Sequence, residues 1–161
     1  MDAITKILVP TDFSPHADEA FRVACRLAKA TGAWVVAFHV APPPAVVVAE
    51  CQPPTDLRND KGRSLWDDLL TLQPPDSQVR VEHEVIVADR PTVAHLLDLL
   101  EKRGCDLIVM GTHGHSWLKQ RLFGSVTEEV IRRARCPVMV VKAPAHAEAP
   151  PAPKPAKPTA K

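Results

Sequence analysis

The sequence has no tyrosine, and phenylalanine and tryptophan together bring the aromatic content to only 4%. That leaves little material for base-stacking surfaces or sugar-binding platforms. One-sided charge is also missing. The formal net charge is +1, with acids and bases mixed along the chain, whereas a nucleic-acid binder gathers its basic residues on one face. The single basic cluster, Arg132, Arg133 and Arg135, ends a helical pattern and reads as a favourable contact with the helix dipole. Four cysteines, Cys25, Cys51, Cys105 and Cys136, form no CxxC pair, which argues against zinc and dithiol redox chemistry; they read as buried, reduced thiols. His39, His83 and His95 are scattered through regular elements and read as satisfied structural residues, since no metal-ligand spacing occurs. No apolar run approaches the roughly 20 residues that span a bilayer. The N-terminus runs straight into a strand pattern without a signal peptide, so a cytoplasmic protein is expected. Neither GxxxxGK[ST] nor a GxGxxG after the first strand is present, which excludes a P-loop and a dinucleotide fingerprint.

The chain does have 161 residues, enough for one domain with a sizeable core. It also has 17 prolines. They cluster at Pro42 to Pro44, Pro53-Pro54, Pro74-Pro75 and in the closing APPAPKPAKPTAK. From about Ala143 onward the sequence offers almost no large apolar side chain. The expectation is a disordered Pro/Ala/Lys-rich tail over residues 143–161, following a folded domain over 1–142.

Within that domain two periods alternate. ITKILVP (Ile4 to Pro10) reads as a strand. Ser14-Pro15 supplies an N-cap and a first-turn proline, and Gly32 a C-cap, for the helix between them. AWVVAFHV (Ala33 to Val40) is a second strand, followed by a proline-rich loop and a helix around Leu57 to Leu72. VRVEHEVIV (Val79 to Val87) alternates at its start, as a strand with one more exposed face should. Pro91 opens a helix that Gly104 closes. CDLIVM, a glycine-bearing segment, a helix from Ser125 and PVMVV (Pro137 to Val141) complete the order β-α-β-α-β-α-β-α-β. Strands separated by helices run parallel with right-handed crossovers. The fold class is therefore α/β, an open doubly wound parallel sheet with helices on both faces. Ligands of such sheets bind beyond the carboxyl ends of the strands, where the strand order reverses.

Three of the six glycines stand in GTHGHSWLKQRLFGSV, spaced G-x2-G-x9-G and followed by serine. Gly111 ends a strand, where a side chain would block a ligand on the sheet edge. Gly114 permits close backbone approach. Gly124 and Ser125 open a helix whose first amides attract an anion, so the segment reads as a nest for phosphate oxygens. An alternative is open: Ser125-x-x-Glu128 is also a capping box, in which Ser125 closes its own helix. Asp12, after the first strand, reads as an acceptor for ribose hydroxyls or a base amine, or else as a loop cap shared with Ser14. Val40 ends the second strand and is either an adenine contact or simple core. His113-Gly114-His115 lacks the spacer of the HxGH of nucleotidyl transferases and follows the wrong strand.

KILVPTDFS, CDLIVMG, the G-x2-G-x9-G-S segment and CPVMVVK together resemble the universal stress protein family over roughly residues 3 to 142. The glycine motif resembles that of the family's ATP-binding branch. The resemblance implies a Rossmann-like, five-stranded sheet of order 3-2-1-4-5 that binds ATP, with Mg or another divalent cation carried on the phosphates. Asp12 would face the ribose and adenine, with Pro10 and Thr11 shaping that wall and Val40 meeting the adenine. Gly111, Gly114, Gly124, Ser125 and Val126 would line the phosphates, with Met110 and His113 completing the set. The resemblance also implies a homodimer through the last strand, Pro137 to Val141, an apolar edge that would otherwise be bare. The sequence departs from many relatives at Ala88, where they place a glycine, and in its tail.

Phosphoryl transfer needs a positioned nucleophile and charge neutralisation. His113, His115, Lys119 and Arg121 lie in the glycine segment, but no carboxylate there is poised as a base. The expected function is an ATP-binding sensor or regulator of the stress response with little or slow hydrolysis. A slow ATPase or phosphotransferase and a nucleotide-free dimeric interaction module are the alternatives.

Overall fold

A computed structural model describes residues 3–42, 65–112 and 123–143. Its elements are β1 (Lys6–Pro10), α1 (Pro15–Thr31), β2 (Trp34–Ala41), α2 (Leu65–Leu70), β3 (Val81–Val87), α3 (Thr92–Arg103), β4 (Leu107–Gly111), α4 (Ser125–Arg133) and β5 (Val138–Val141). The strands form one sheet of order β3-β2-β1-β4-β5, and every pairing is parallel. The expected order is thus observed. The helix expected at Leu57 to Leu72 is seen over Leu65–Leu70, and its first part lies outside the described residues.

The local signals explain the helices. Ser14 is the N-cap of α1 and its side chain accepts from the Ala17 amide, Pro15 occupies the first turn, and Gly32 ends the helix in the left-handed region at φ 76°. Gly104 does the same for α3 at φ 60°. A residue with a Cβ is strained at either position. In α1, Ala17, Ala20, Phe21, Ala24, Cys25 and Ala28 are buried, a three- and four-residue spacing that makes one apolar stripe.

Alternate residues of each strand feed two cores. Ile7, Val9, Val35, Ala37, Leu107 and Val109 pack with the α1 residues Ala20, Phe21, Ala24 and Ala28. Leu8, Val36, Phe38, Ile108 and Met110 pack with Val93, Leu96 and Leu100 of α3 and Val130 of α4. Full burial of each large aliphatic side chain contributes about 1.5–3 kcal/mol. Burial on both faces is why β1, β2 and β4 are continuous apolar runs. β3 alternates because it is an edge: Val81 and Val85 pack on the first core, while Glu82 and Glu84 both bind Arg103 of α3. Cys25 and Cys105 are buried and free, and burial pushes both thiols up to about 11. Cys51 lies outside the described residues.

The amino end of the sheet is tied shut. Asp106, just before β4, accepts from the Thr5 amide at 2.7 Å, the Thr5 hydroxyl at 2.7 Å and the Lys6 amide at 3.0 Å. Burial pushes its carboxyl up, but the bonds from Thr5 and Lys6 outweigh that and hold it below the usual carboxylate range. At the same end the Arg80 guanidinium stacks 3.6 Å from the Trp34 ring centroid.

Candidate functional site

The strand order reverses between β1 and β4, so the crevice of this sheet lies at their carboxyl ends. On one side, β1 runs into Thr11, Asp12 and Phe13. Thr11 is buried and its amide donates to the Phe38 carbonyl at 2.9 Å, which sets this turn against the end of β2. The Thr11 hydroxyl oxygen accepts from the Phe13 amide at 3.0 Å. Asp12 Oδ1 accepts from the Ser14 amide at 3.1 Å, so the expected loop-cap role of Asp12 is realised. Phe13 has φ 60°, the one positive value among the described non-glycine residues. A bulky side chain there is strained, and such strain persists only where surrounding contacts over-determine it. Nearby, burial pushes the Asp18 carboxyl up, Arg22 offsets part of that, and the Asp12 charge adds to it.

On the other side, Gly111 ends β4. A Cβ there would sit 2.8 Å from His16 Cβ and 2.9 Å from the His16 carbonyl carbon. The space expected to be cleared for a ligand is therefore occupied by the first turn of α1, and Gly111 is required by that close helix-strand approach. Beyond it, the Thr112 amide donates to the Val141 carbonyl at 3.0 Å, and the Gly124 amide to the Thr112 carbonyl at 2.8 Å. The two described ends of the glycine segment thus meet at one point. The Thr127 hydroxyl donates to the Gly111 carbonyl at 3.0 Å and fastens α4 to the end of β4.

The start of α4 corrects one expectation. Its N-cap is Gly124, at φ −65° and ψ 155°, with no side-chain capping bond. Ser125 is the exposed first helical residue, so it does not cap its own helix. The first backbone bond of the helix is Glu128 N–H to the Gly124 carbonyl, which leaves the amides of Ser125, Val126 and Thr127 ahead of the ladder. Among the other expected residues, Pro10 is half-buried beside Phe38. Val40 and Val126 are partly buried against the second core, and Met110 is buried within it. His113 and Gly114 lie outside the described residues, as do His115, Lys119 and Arg121. The structure brings Pro10, Thr11, Asp12 and Val40 onto adjacent strand ends, with Gly111 and Gly124 to Val126 on the neighbouring strand and helix.

No motif or spacing marks His16 in advance. Its Nδ1 accepts from the Ala143 amide at 2.9 Å and lies 3.2 Å from the Thr112 hydroxyl, so that nitrogen carries no proton. Ala143, the first residue of the expected tail, is buried; residues 144–161 lie outside the described residues. Of the other histidines, His39 Nδ1 is 2.8 Å from the Thr11 carbonyl, His83 Nε2 is 2.9 Å from the Leu72 carbonyl, and buried His95 is 3.0 Å from Asp89. No group of three or more His, Cys, Asp or Glu among the described residues is placed to hold a metal ion. No helix among them is long and apolar enough to cross a membrane.

Comparison with known proteins agrees with this architecture. A universal stress protein of Methanocaldococcus jannaschii is 33% identical over 149 residues, covering 86% of this chain and 82% of that one. A Bacillus subtilis member is 27% identical over 145 residues, covering 85% and 98%. Among solved structures, universal stress protein UspA from Lactobacillus plantarum superposes with a TM-score of 0.68 at 25% identity, over 88% of this chain and 99% of that one. A universal stress protein in complex with cAMP gives 0.67 at 23% identity, over 89% and 100%. One from Archaeoglobus fulgidus in complex with dAMP gives 0.59 at 20%, over 88% and 100%. The model of the universal stress protein family matches residues 3–142, and the chain belongs to that family.

Proposed function

We propose that the chain binds ATP in the crevice between β1 and β4 and acts as a nucleotide-dependent sensor or regulator in the stress response, with little or slow hydrolysis. The observation that carries this reading is the start of α4. A helix whose cap is a glycine without a side-chain bond, and whose first amides precede the ladder, suits phosphate oxygens. Ser125, exposed rather than spent on capping, adds a hydroxyl. Across the crevice the Asp12 carboxylate suits the hydroxyls of a ribose or the amine of an adenine, with Pro10, Thr11 and Val40 as that wall. Met110, His113, Gly114 and Val126 complete the proposed site, with Gly111 contributing backbone alone, since its side-chain direction is filled by α1. Relatives in complex with cAMP and dAMP support an adenine nucleotide as the ligand class. A divalent cation such as Mg would be carried by the phosphates.

The same reading takes residues 1–142 as the nucleotide-binding domain of a cytoplasmic protein and the Pro/Ala/Lys-rich residues from 143 as a disordered extension. It includes a homodimer through β5. That strand is an edge of the sheet, wholly apolar, with Met139 exposed, and such an edge is protected by pairing.

The test is nucleotide content. The gently purified protein is denatured and the released small molecules identified by mass spectrometry, and ATP with Mg is then titrated into nucleotide-free protein. Released adenine nucleotide and saturable binding, lost in a folded Gly124→Val variant, support the site. No release and no binding at millimolar ATP would overturn it in favour of a nucleotide-free interaction module. A time course of ATP to ADP separates a binder from an ATPase.

A further inference from the structure

We propose that His39 is a positioning residue for this site, holding the Thr11–Phe13 turn in the strained form that aims the Asp12 carboxylate. The inference rests on reading the crevice as a nucleotide site, and three observations carry it. First, Phe13 sits at φ 60°, which a free loop with a bulky side chain would not keep. Second, His39 holds that turn from two directions. Its Nδ1 donates to the Thr11 carbonyl at 2.8 Å, and its ring lies against the Phe13 ring, centroids 4.7 Å apart and planes tilted by 39°. Third, Asp12 stands between the two residues so held, and its own Oδ1 is engaged by the Ser14 amide. Relaxing Phe13 into an ordinary region turns the Asp12–Phe13 and Phe13–Ser14 peptides, and the Ser14 amide then leaves the carboxylate.

His39 reaches the turn because β2 lies beside β1 in parallel register, Pro10 opposite Phe38. It sits one residue beyond Phe38, whose carbonyl takes the Thr11 amide. The donor position matters more than the charge. With a carbonyl as acceptor, Nδ1 must carry its proton in the neutral and the charged ring alike. Asparagine can place an amide N–H near the Nδ1 position. Glutamine places its donor about one bond farther out, and leucine has none.

The experiment compares His39→Asn, His39→Gln and His39→Leu with the unaltered chain, by titration of ATP with Mg, thermal melts, and hydrogen exchange of the Phe13 and Ser14 amides without nucleotide. His39→Asn is expected to bind within about threefold of the unaltered chain, and His39→Gln and His39→Leu about tenfold more weakly, the worth of a half-buried hydrogen bond and the turn it holds. The Phe13 and Ser14 amides should exchange faster in the Gln and Leu variants alone. A purely structural histidine would lower the melting temperature of all three and leave affinity unchanged in the folded fraction, which overturns the proposal. Equal weakening by Asn and Leu overturns it too. If the unaltered chain binds no ATP, the nucleotide reading fails and the affinity role with it. Exchange still judges the clamp, and unchanged protection of Ser14 in His39→Leu overturns that on its own.

Discussion

The two ends of the sheet are built differently. At the amino end, one carboxylate, Asp106, accepts three hydrogen bonds from Thr5 and Lys6, Trp34 lies under Arg80, and the bonding groups pair off within the fold. At the carboxyl end, a phenylalanine is held at positive φ, a helix starts on an uncapped glycine, and a glycine is pressed against a helix. The first end contributes stability through these contacts. The second accepts local strain and starts a helix whose first amides precede its ladder. In parallel sheets the helix N-termini gather at the strands' carboxyl ends, so the location of a site follows from topology before any side chain is chosen.

That contrast can be broken in order of expected effect. Gly111→Val should be the most damaging change, because the new Cβ meets His16 backbone that cannot swing away. We expect a loss at the upper end of about 1–3 kcal/mol in denaturant unfolding. Near-normal stability would show that α1 has room to retreat.

Asp106→Ala should cost about 1–2 kcal/mol at neutral pH through its three lost bonds. Asp106 is held below the usual carboxylate range, so its contribution is present above the ordinary value and is lost as pH falls through its own lower one. Melting curves of Asp106→Ala and the unaltered chain should therefore begin to converge only as pH falls below the ordinary carboxylate value of about 4. A gap that persists in acid would assign the effect to packing.

A smaller effect sharpens the strained side. At φ 60° alanine pays the left-handed penalty that glycine avoids, so Phe13→Gly should be about 1 kcal/mol more stable than Phe13→Ala. The reverse order in chemical denaturation would mean that the turn relaxes once the ring is gone.

The smallest change is Ser125→Ala. An N-cap serine would cost about 1 kcal/mol, but Gly124 holds that position, so a change within about 0.5 kcal/mol is expected. Its signature should instead be a weaker affinity for ATP relative to adenosine in parallel titrations.

Much of the frame was legible because its signals are local. β1, β2 and β4 announce themselves as apolar runs, Ser14-Pro15 and Gly32 bracket α1, and Gly104 closes α3. The alternation in VRVEHEVIV marks an edge strand whose charged face meets Arg103. The order 3-2-1-4-5 came from the family resemblance, since crossover direction leaves no mark on a single strand. What stayed hidden depends on contacts across the chain. His16 reads as an ordinary first-turn residue until Thr112, 96 positions away, and Ala143, 127 positions away, meet its Nδ1. Gly111 looks like a ligand's glycine until α1 is in place. Ser125 and Gly124 are both acceptable caps, and φ and ψ at Gly124 decide between them. Nothing in PTDFS distinguishes Phe13 at φ 60° from Phe13 in an extended loop, because His39 comes from the neighbouring strand.

The docking of Ala143 on His16 has a practical side. The described chain enters through Thr5 at the tied end of the sheet and leaves through Ala143 beside Thr112, at the end that carries the proposed site. A fluorescent label placed directly at Ala143 is therefore tethered near the crevice, while one placed at Thr5 starts from the opposite side of the domain. Nucleotide titrations made with the two labels report on differently crowded molecules, and the label at Thr5 is the one that leaves the crevice's own surroundings intact.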